Sequence, residues 1–305
     1  FEATGRAYLA FARAHPDWPG MELLYKRGEG TLTAATPAGD VIDWFASHDP
    51  QTGAGATLLI AALKTTDAEA AKLKAQAIWT SLPMTEAEEI AFLAAAGDLV
   101  DGMADARVFA LLDQSEWQAA QQGLPRMTTA ARPLAAARIA TQSRRSGADA
   151  LILALPEAQR NDPGLAMDRF RWRVQAKMPD LARELMLAQS TSAEALRVPE
   201  VWADARADYA RAALRDGDWK TAEALAVPHY LEPGSEAFAD LEFLAGKQWP
   251  DEVAKEREDQ GRLLLTINRL PQFVRQVTND IRQADVAIKV APSDGAVKRA
   301  EQVID

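Results

Sequence analysis

The stretch from Arg206 to Gly246 constrains the chain most. Its apolar residues recur at spacings of three and four, and its breaks fall at residues that end helices. Tyr209, Ala212, Ala213 and Leu214 give a first helix its apolar side. Asp216-Gly217-Asp218 closes that helix, because glycine adopts the left-handed conformation of a helix end without the clash a Cβ brings, and Asp218 is placed to cap the next helix. Trp219, Ala222 and Leu225 follow at i, i+3 and i+6, a large and small alternation that reads as two helices closing around an aromatic plug at Trp219. Pro228 stops this second helix. Ser235 caps a third, with Phe238, Leu241 and Leu244 on its inner face. This is the pattern of helical hairpins, not of a catalytic pocket.

The rest of the chain repeats the pattern. Asp67, Ala70 and Leu73, and again Pro179, Ala182 and Leu185, carry the offsets of Trp219, Ala222 and Leu225. Asp67 reads as an N-cap, Thr85 with Glu88 as a capping box, Asp162-Pro163 as a helix start and Pro133 as a first-turn proline. Alanine is abundant, β-branched residues are sparse, and no alternating strand pattern of useful length is present. The expectation is an all-α chain, an irregular helical-hairpin superhelix of the α-solenoid type, closed as a ring or horseshoe. Residues 1–246 form the superhelical domain in this reading. Residues 247–305 add further helices that continue it, among them an amphipathic one with Phe273, Val277, Ile281, Ala284 and Ile288 on one side.

Composition limits the partners. The formal net charge is −10, which argues against nucleic acid, whose phosphates call for clustered Lys and Arg. The chain has no cysteine, so disulfides, thiolate metal sites and a cysteine nucleophile are excluded. No run of eighteen apolar residues suggests a membrane span. Phe1 stands where an initiator Met would be, which reads as a processed or trimmed N-terminus.

Five groups of residues invite a chemical reading, and each has a plainer one. His15, His48 and His229 lie far apart at turns, without the spacing of a metal triad, and read as turn or capping residues. Glu86, Glu88 and Glu89 crowd the first turn of a helix, where the macrodipole favours carboxylates. Arg169, Arg171 and Arg173 alternate with Phe170 and Trp172, a pattern that suits a sugar-acid polymer but reads more plainly as a buried aromatic side and a solvated basic side. Gly53-Ala54-Gly55 lacks the third glycine and the preceding strand of a dinucleotide loop. The eight tryptophans read as plugs between helices. No catalytic, cofactor-binding or metal-binding residue is assigned, and no cofactor is expected.

Five segments taken in order carry a family resemblance: YLAFARAHPDWPG from Tyr8, DWFASHDPQTGAG from Asp43, LAAARIA from Leu134, PGLAMDRFRWR from Pro163, and RADYARAALRDGDWKTAEALAVPHYL with FADLEFLAG from Arg206 to Gly246. Together they resemble the N-terminal α-superhelical domain of soluble lytic murein transglycosylases of α-proteobacterial type. That resemblance implies a non-catalytic scaffold within a periplasmic enzyme that cleaves peptidoglycan. Its implied partners are peptidoglycan glycan strands and a lysozyme-like catalytic domain in the same parent protein. The Glu-Ser motif of the catalytic domain is missing from these residues. The alternative of another class is a solenoid scaffold that binds a protein partner.

Overall fold

The computed structural model describes residues 5–15 and 18–246. The amphipathic stretch expected around Phe273 to Ile288 lies outside them. Among the described residues every regular element is helical, and no strand is present, as the alanine-rich composition predicts. The chain divides into two compact units that meet at Val201 and Trp202.

The first unit opens with α1 (Gly5–Ala14), α2 (Met21–Glu29), α3 (Ala38–Trp44), α4 (Gly53–Thr66), α5 (Ala68–Ser81) and α6 (Glu86–Ala96). Helix α4 is the hub, packing on α3, α5 and α6. Its apolar, small-residue sequence fits that place, since neighbours on several sides leave little room for polar side chains. Val41, Trp44, Phe45, Leu59, Ile60, Ile78, Trp79 and Phe92 form the core there. Start signals operate as the sequence predicts. Asp67 accepts hydrogen bonds from the N–H groups of Glu69 and Ala70, and Thr85 with Glu88 forms a complete capping box.

Next come α7 (Ala104–Asp113), α8 (Trp117–Gly123), α9 (Arg132–Gln142), α10 (Ala148–Ala154), α11 (Glu157–Arg160), α12 (Pro163–Gln175), α13 (Pro179–Gln189) and α14 (Ala193–Leu196). Helices α7, α8 and α9 enclose a core of Val108, Leu111, Leu112, Ala120, Ala135 and Ile139. Helix α9 also packs on α12, and α12 carries both α13 and α14. Asp162 caps α12 through the N–H of Leu165, with Pro163 at its first position.

The second unit holds α15 (Glu200–Arg215) from Trp202 onward, α16 (Trp219–Ala226) and α17 (Glu236–Leu244). Gly217 takes φ +78° at the turn, and Asp218 and Ser235 cap α16 and α17. Leu241 and Leu244 are buried as expected.

Three packing expectations are corrected. Trp219 is 50% exposed and plugs nothing, because it is the first residue of α16 and projects beyond the contacts made by Ala222 and Leu225. Leu73 is also exposed, since α5 buries Ala71, Ala75, Ile78 and Trp79 instead. The proposed i, i+3, i+6 unit is therefore not a shared packing frame. Helix α15 begins six residues earlier than Arg206, at Glu200, and its buried face runs through Trp202, Ala203, Arg206, Ala207, Ala210 and Ala213. The aromatic anchor of this region is Trp202.

Candidate functional site

The carboxylates and guanidiniums singled out by the sequence do not converge on a cleft. They are absorbed into buried nodes that tie helices together. The N-terminus of α4 is the first. Glu29, at the end of α2, is almost fully buried and accepts hydrogen bonds from the Gln51 N–H at 2.7 Å, the Thr52 N–H at 3.0 Å and the Thr52 hydroxyl at 2.6 Å. A Cβ at Gly55 would meet this carboxylate. The neighbouring Gly53 N–H donates to Glu88 Oε1 at 2.9 Å. The glycine pair thus opens a helix N-terminus that holds the chain's own carboxylates. Burial pushes the Glu88 carboxyl up, but hydrogen bonds from Thr85, Gly53 and Ala54 leave it below its usual value.

A second node lies between α5, α6 and α7. Arg107 is almost fully buried, donates from Nε to Glu89 Oε2 at 3.1 Å, bonds the Trp79 carbonyl and places its guanidinium 4.2 Å from the centre of the Trp79 ring. Arg126 pairs with the other Glu89 oxygen. Burial lowers the Arg107 pKa to about 10, which leaves it charged at neutral pH. The three glutamates read as one dipole-driven cluster therefore do separate work. Glu88 closes a capping box, Glu89 neutralises a buried arginine, and only Glu86 keeps the surface position that the dipole explains.

The third node joins α7, α9, α12 and the end of α14. Arg138 Nε donates to Asp168 Oδ2 at 2.7 Å, and its Nη2 to Asp113 Oδ1 at 3.0 Å. Gln142 Nε2 bonds Asp168 Oδ1 at 2.8 Å and the Leu112 carbonyl at 2.7 Å. Arg171 reaches the Asp113 carbonyl, and Arg197 Nη2 lies 2.8 Å from Asp113 Oδ2. Burial works against the Arg138 charge, but Asp168 and Asp113 outweigh it and hold its pKa above the ordinary arginine value. Of the alternating run, Phe170 is buried, Trp172 is exposed, and Arg173 bonds the Leu181 carbonyl at 2.7 Å. The aromatic side is thus only half buried, and Arg171 is committed inward rather than solvated.

In the second unit Arg206 is buried and donates to the Leu225 carbonyl at 2.6 Å, and burial brings its pKa down to about 10. His229 is buried too. Its Nδ1 accepts the Leu231 N–H at 3.0 Å, so its Nε2–H donates to Glu242 Oε1 at 3.0 Å, and Phe238 meets the ring edge-on. His229 thereby locks the α16–α17 connection. His48 stacks on Tyr25, and His15 touches Phe11 and Trp18. Nothing brings the three histidines together, and among the described residues no three metal-ligating side chains cluster.

A cavity of about 300 Å³ lies beside α1 and α3, lined by Leu9, Thr31, Thr33, Thr36, Asp40 and Trp44. Its threonines serve the local backbone. The Thr31 hydroxyl donates to the Gly28 carbonyl, while those of Thr33 and Thr36 accept from the N–H groups of Ala35 and Thr33. Among the described residues no helix is long and apolar enough to cross a membrane.

The buried arginines Arg107, Arg138 and Arg206 are what sequence reasoning missed. A signal for one was present: Gly164 opens α12 where a Cβ would meet the Arg138 guanidinium.

Residues 226–304 match the family model of phage P22-like portal proteins. The match takes in the end of α16, the His229–Glu242 lock and α17, and spans about a quarter of the chain. No curated protein and no solved structure matches the chain. The portal match overturns the resemblance to lytic transglycosylases. With it fall the peptidoglycan-cleaving scaffold role, the glycan and lysozyme-like partners, and the periplasmic location. The five segments behind that resemblance are helical-hairpin signals, and the residues in them serve caps, cores and ion pairs instead.

Proposed function

We propose that the chain is a structural protein of a phage particle, which acts by assembling with other protein chains. The single observation that carries this reading is the match of residues 226–304 to P22-like portal proteins. The internal commitment of the charged groups supports it. Glu29, Glu89, Arg107, Arg138 and Asp168 all satisfy the chain's own helices, as suits a body that keeps its shape under load. Exposed apolar residues on α12, on α13 and in the link between them, among them Trp172, Met178 and Leu181, offer area for protein contacts. In this reading residues 1–246 form an irregular array of helical hairpins, and residues 247–305 form a second region that holds most of the portal-like segment. No catalytic, cofactor or metal residue is assigned. The partners are further copies of the chain and other proteins of the capsid.

The test is the mass of the full-length chain in solution, taken with chemical cross-linking. A discrete oligomer of the 33.2 kDa chain, with cross-links concentrated in residues 226–304, is the expected result. A chain that stays monomeric at all concentrations, and is left out of capsids when produced together with phage coat proteins, removes the reading.

A further inference from the structure

Arg197 closes the first unit, four residues before the boundary at Val201. It takes φ +66° and ψ −59°, and the Val198 N–H bonds the Leu196 carbonyl at 2.8 Å across it. This is a γ-turn of the rare left-handed kind, in a backbone region that disfavours any residue bearing a Cβ. Such a conformation persists only where the surroundings hold it. Two of its holds bear on the turn itself. Leu196 is fully buried, and the Arg197 guanidinium spans to Asp113, with Nε at 2.9 Å and Nη2 at 2.8 Å from Oδ2. Asp113 is the last residue of α7, the end of a helix where its own dipole opposes a carboxylate. It keeps that place because Arg138 and Arg197 flank its oxygens and Arg171 meets its carbonyl. Of these partners Arg138 is buried, whereas the Arg197 side chain is 49% exposed.

We propose that the turn at residues 196–198 is a releasable strap with Arg197 as its latch. The ion pair to Asp113 holds a strained turn closed, and breaking it lets the chain relax between α14 and α15 without disturbing the Arg138 node. The device sets how freely the chain passes from the first unit into α15, a freedom that a protein built to assemble can use. The inference stands on the geometry of Arg197 and Asp113, independent of the phage reading.

The test is hydrogen exchange of the full-length chain, native and Arg197→Ala, in dilute buffer and at about 1 M salt, where exposed charges are screened within a few ångströms. In dilute buffer the variant's amides at 194–201 are expected to exchange roughly tenfold faster, in keeping with the cost of such a backbone conformation, while those of α9 and α12 keep their native rates. Salt is expected to bring the native chain to the variant's rate and to leave the variant unmoved. Three results overturn the proposal: native rates at 194–201 in the variant, an acceleration shared by the whole first unit, or a salt response equal in the two proteins. Because the Arg197 side chain is half exposed, its loss leaves the core intact and the comparison readable. Oligomer formation is not part of the readout, so the strap and the assembly role fail separately.

Discussion

Arg138 on α9 and Asp168 on α12 form an ion pair at 2.7 Å from which solvent is excluded, the two side chains being 2% and 0% exposed. Such a pair is a weak source of net stability, because desolvating both ions offsets most of their attraction. Breaking it is a different matter. Arg138→Met leaves Asp168 buried with only Gln142 and the more distant Arg171 as polar partners, and is expected to cost about 3–5 kcal/mol. Replacing both, as Arg138→Met with Asp168→Leu, should recover much of that loss. Denaturant unfolding of the two variants measures this, and equal losses in the single and double variants would show that the pair matters for packing rather than for charge.

Gly164 gives a second test of the same node. A Cβ at this position would strike the Arg138 guanidinium, so Gly164→Ala is expected to destabilise by about 1–3 kcal/mol despite alanine's better helix propensity. Gly97 has a negative φ and nothing within reach of an added Cβ. Gly97→Ala is therefore expected to stabilise by about 0.4–1 kcal/mol through the unfolded chain. Thermal unfolding should move in opposite directions for the two changes.

These residues also mark where the sequence could be read. Helix starts at Asp67, Thr85, Asp162, Asp218 and Ser235 were legible because a cap and the N–H it serves lie two or three residues apart. The ion nodes were not, because their partners lie far apart in the chain, 18 residues for Arg107 and Glu89, 30 for Arg138 and Asp168 and 84 for Arg197 and Asp113, and a lone arginine in a helix reads as solvated. The small residues around Arg138, namely Ala135, Ala137 and Ala140, could have suggested a crowded setting, but only the fold shows Asp168 opposite. The candidate site suffered the same way. Carboxylates at 86, 88 and 89 looked like one cluster, yet each faces a different neighbour. The family resemblance failed because alanine-rich hairpins with proline breaks recur in helical arrays of many kinds, and no chemical motif anchored it.

Trp202 and Trp219, both among the described residues, invert the expectation from their spacing. Trp219 is half exposed, so Trp219→Ala is expected to cost less than about 1 kcal/mol. Trp202 is fully buried on the inner face of α15, and Trp202→Ala is expected to cost about 3–5 kcal/mol. Paired unfolding measurements decide it, and a larger loss at Trp219 would restore that residue as the plug between helices.

His48 makes the stability of the first unit depend on pH. Its ring stacks on Tyr25 with centroids 3.7 Å apart, Trp44 and Phe45 lie against it, and neither ring nitrogen is hydrogen-bonded. Burial pushes its pKa below the ordinary value of 6.5, and Asp49 beside it recovers only part of the shift. The sign follows from where the proton binds first. Above 6.5 the ring is neutral in both folded and unfolded chains, and its packing contributes in full. As the pH falls through 6.5 toward the lower folded value, the unfolded chain takes up the proton before the folded one, and that contribution is lost. Other groups titrate in both proteins alike, so the informative quantity is the difference between the native chain and His48→Phe. Melting temperatures compared between about pH 8 and about pH 5.5 should stay a constant distance apart at the alkaline end and shift in the variant's favour at the acid end. A constant difference throughout would mean that the His48 ring takes up its proton in the folded chain as readily as in water.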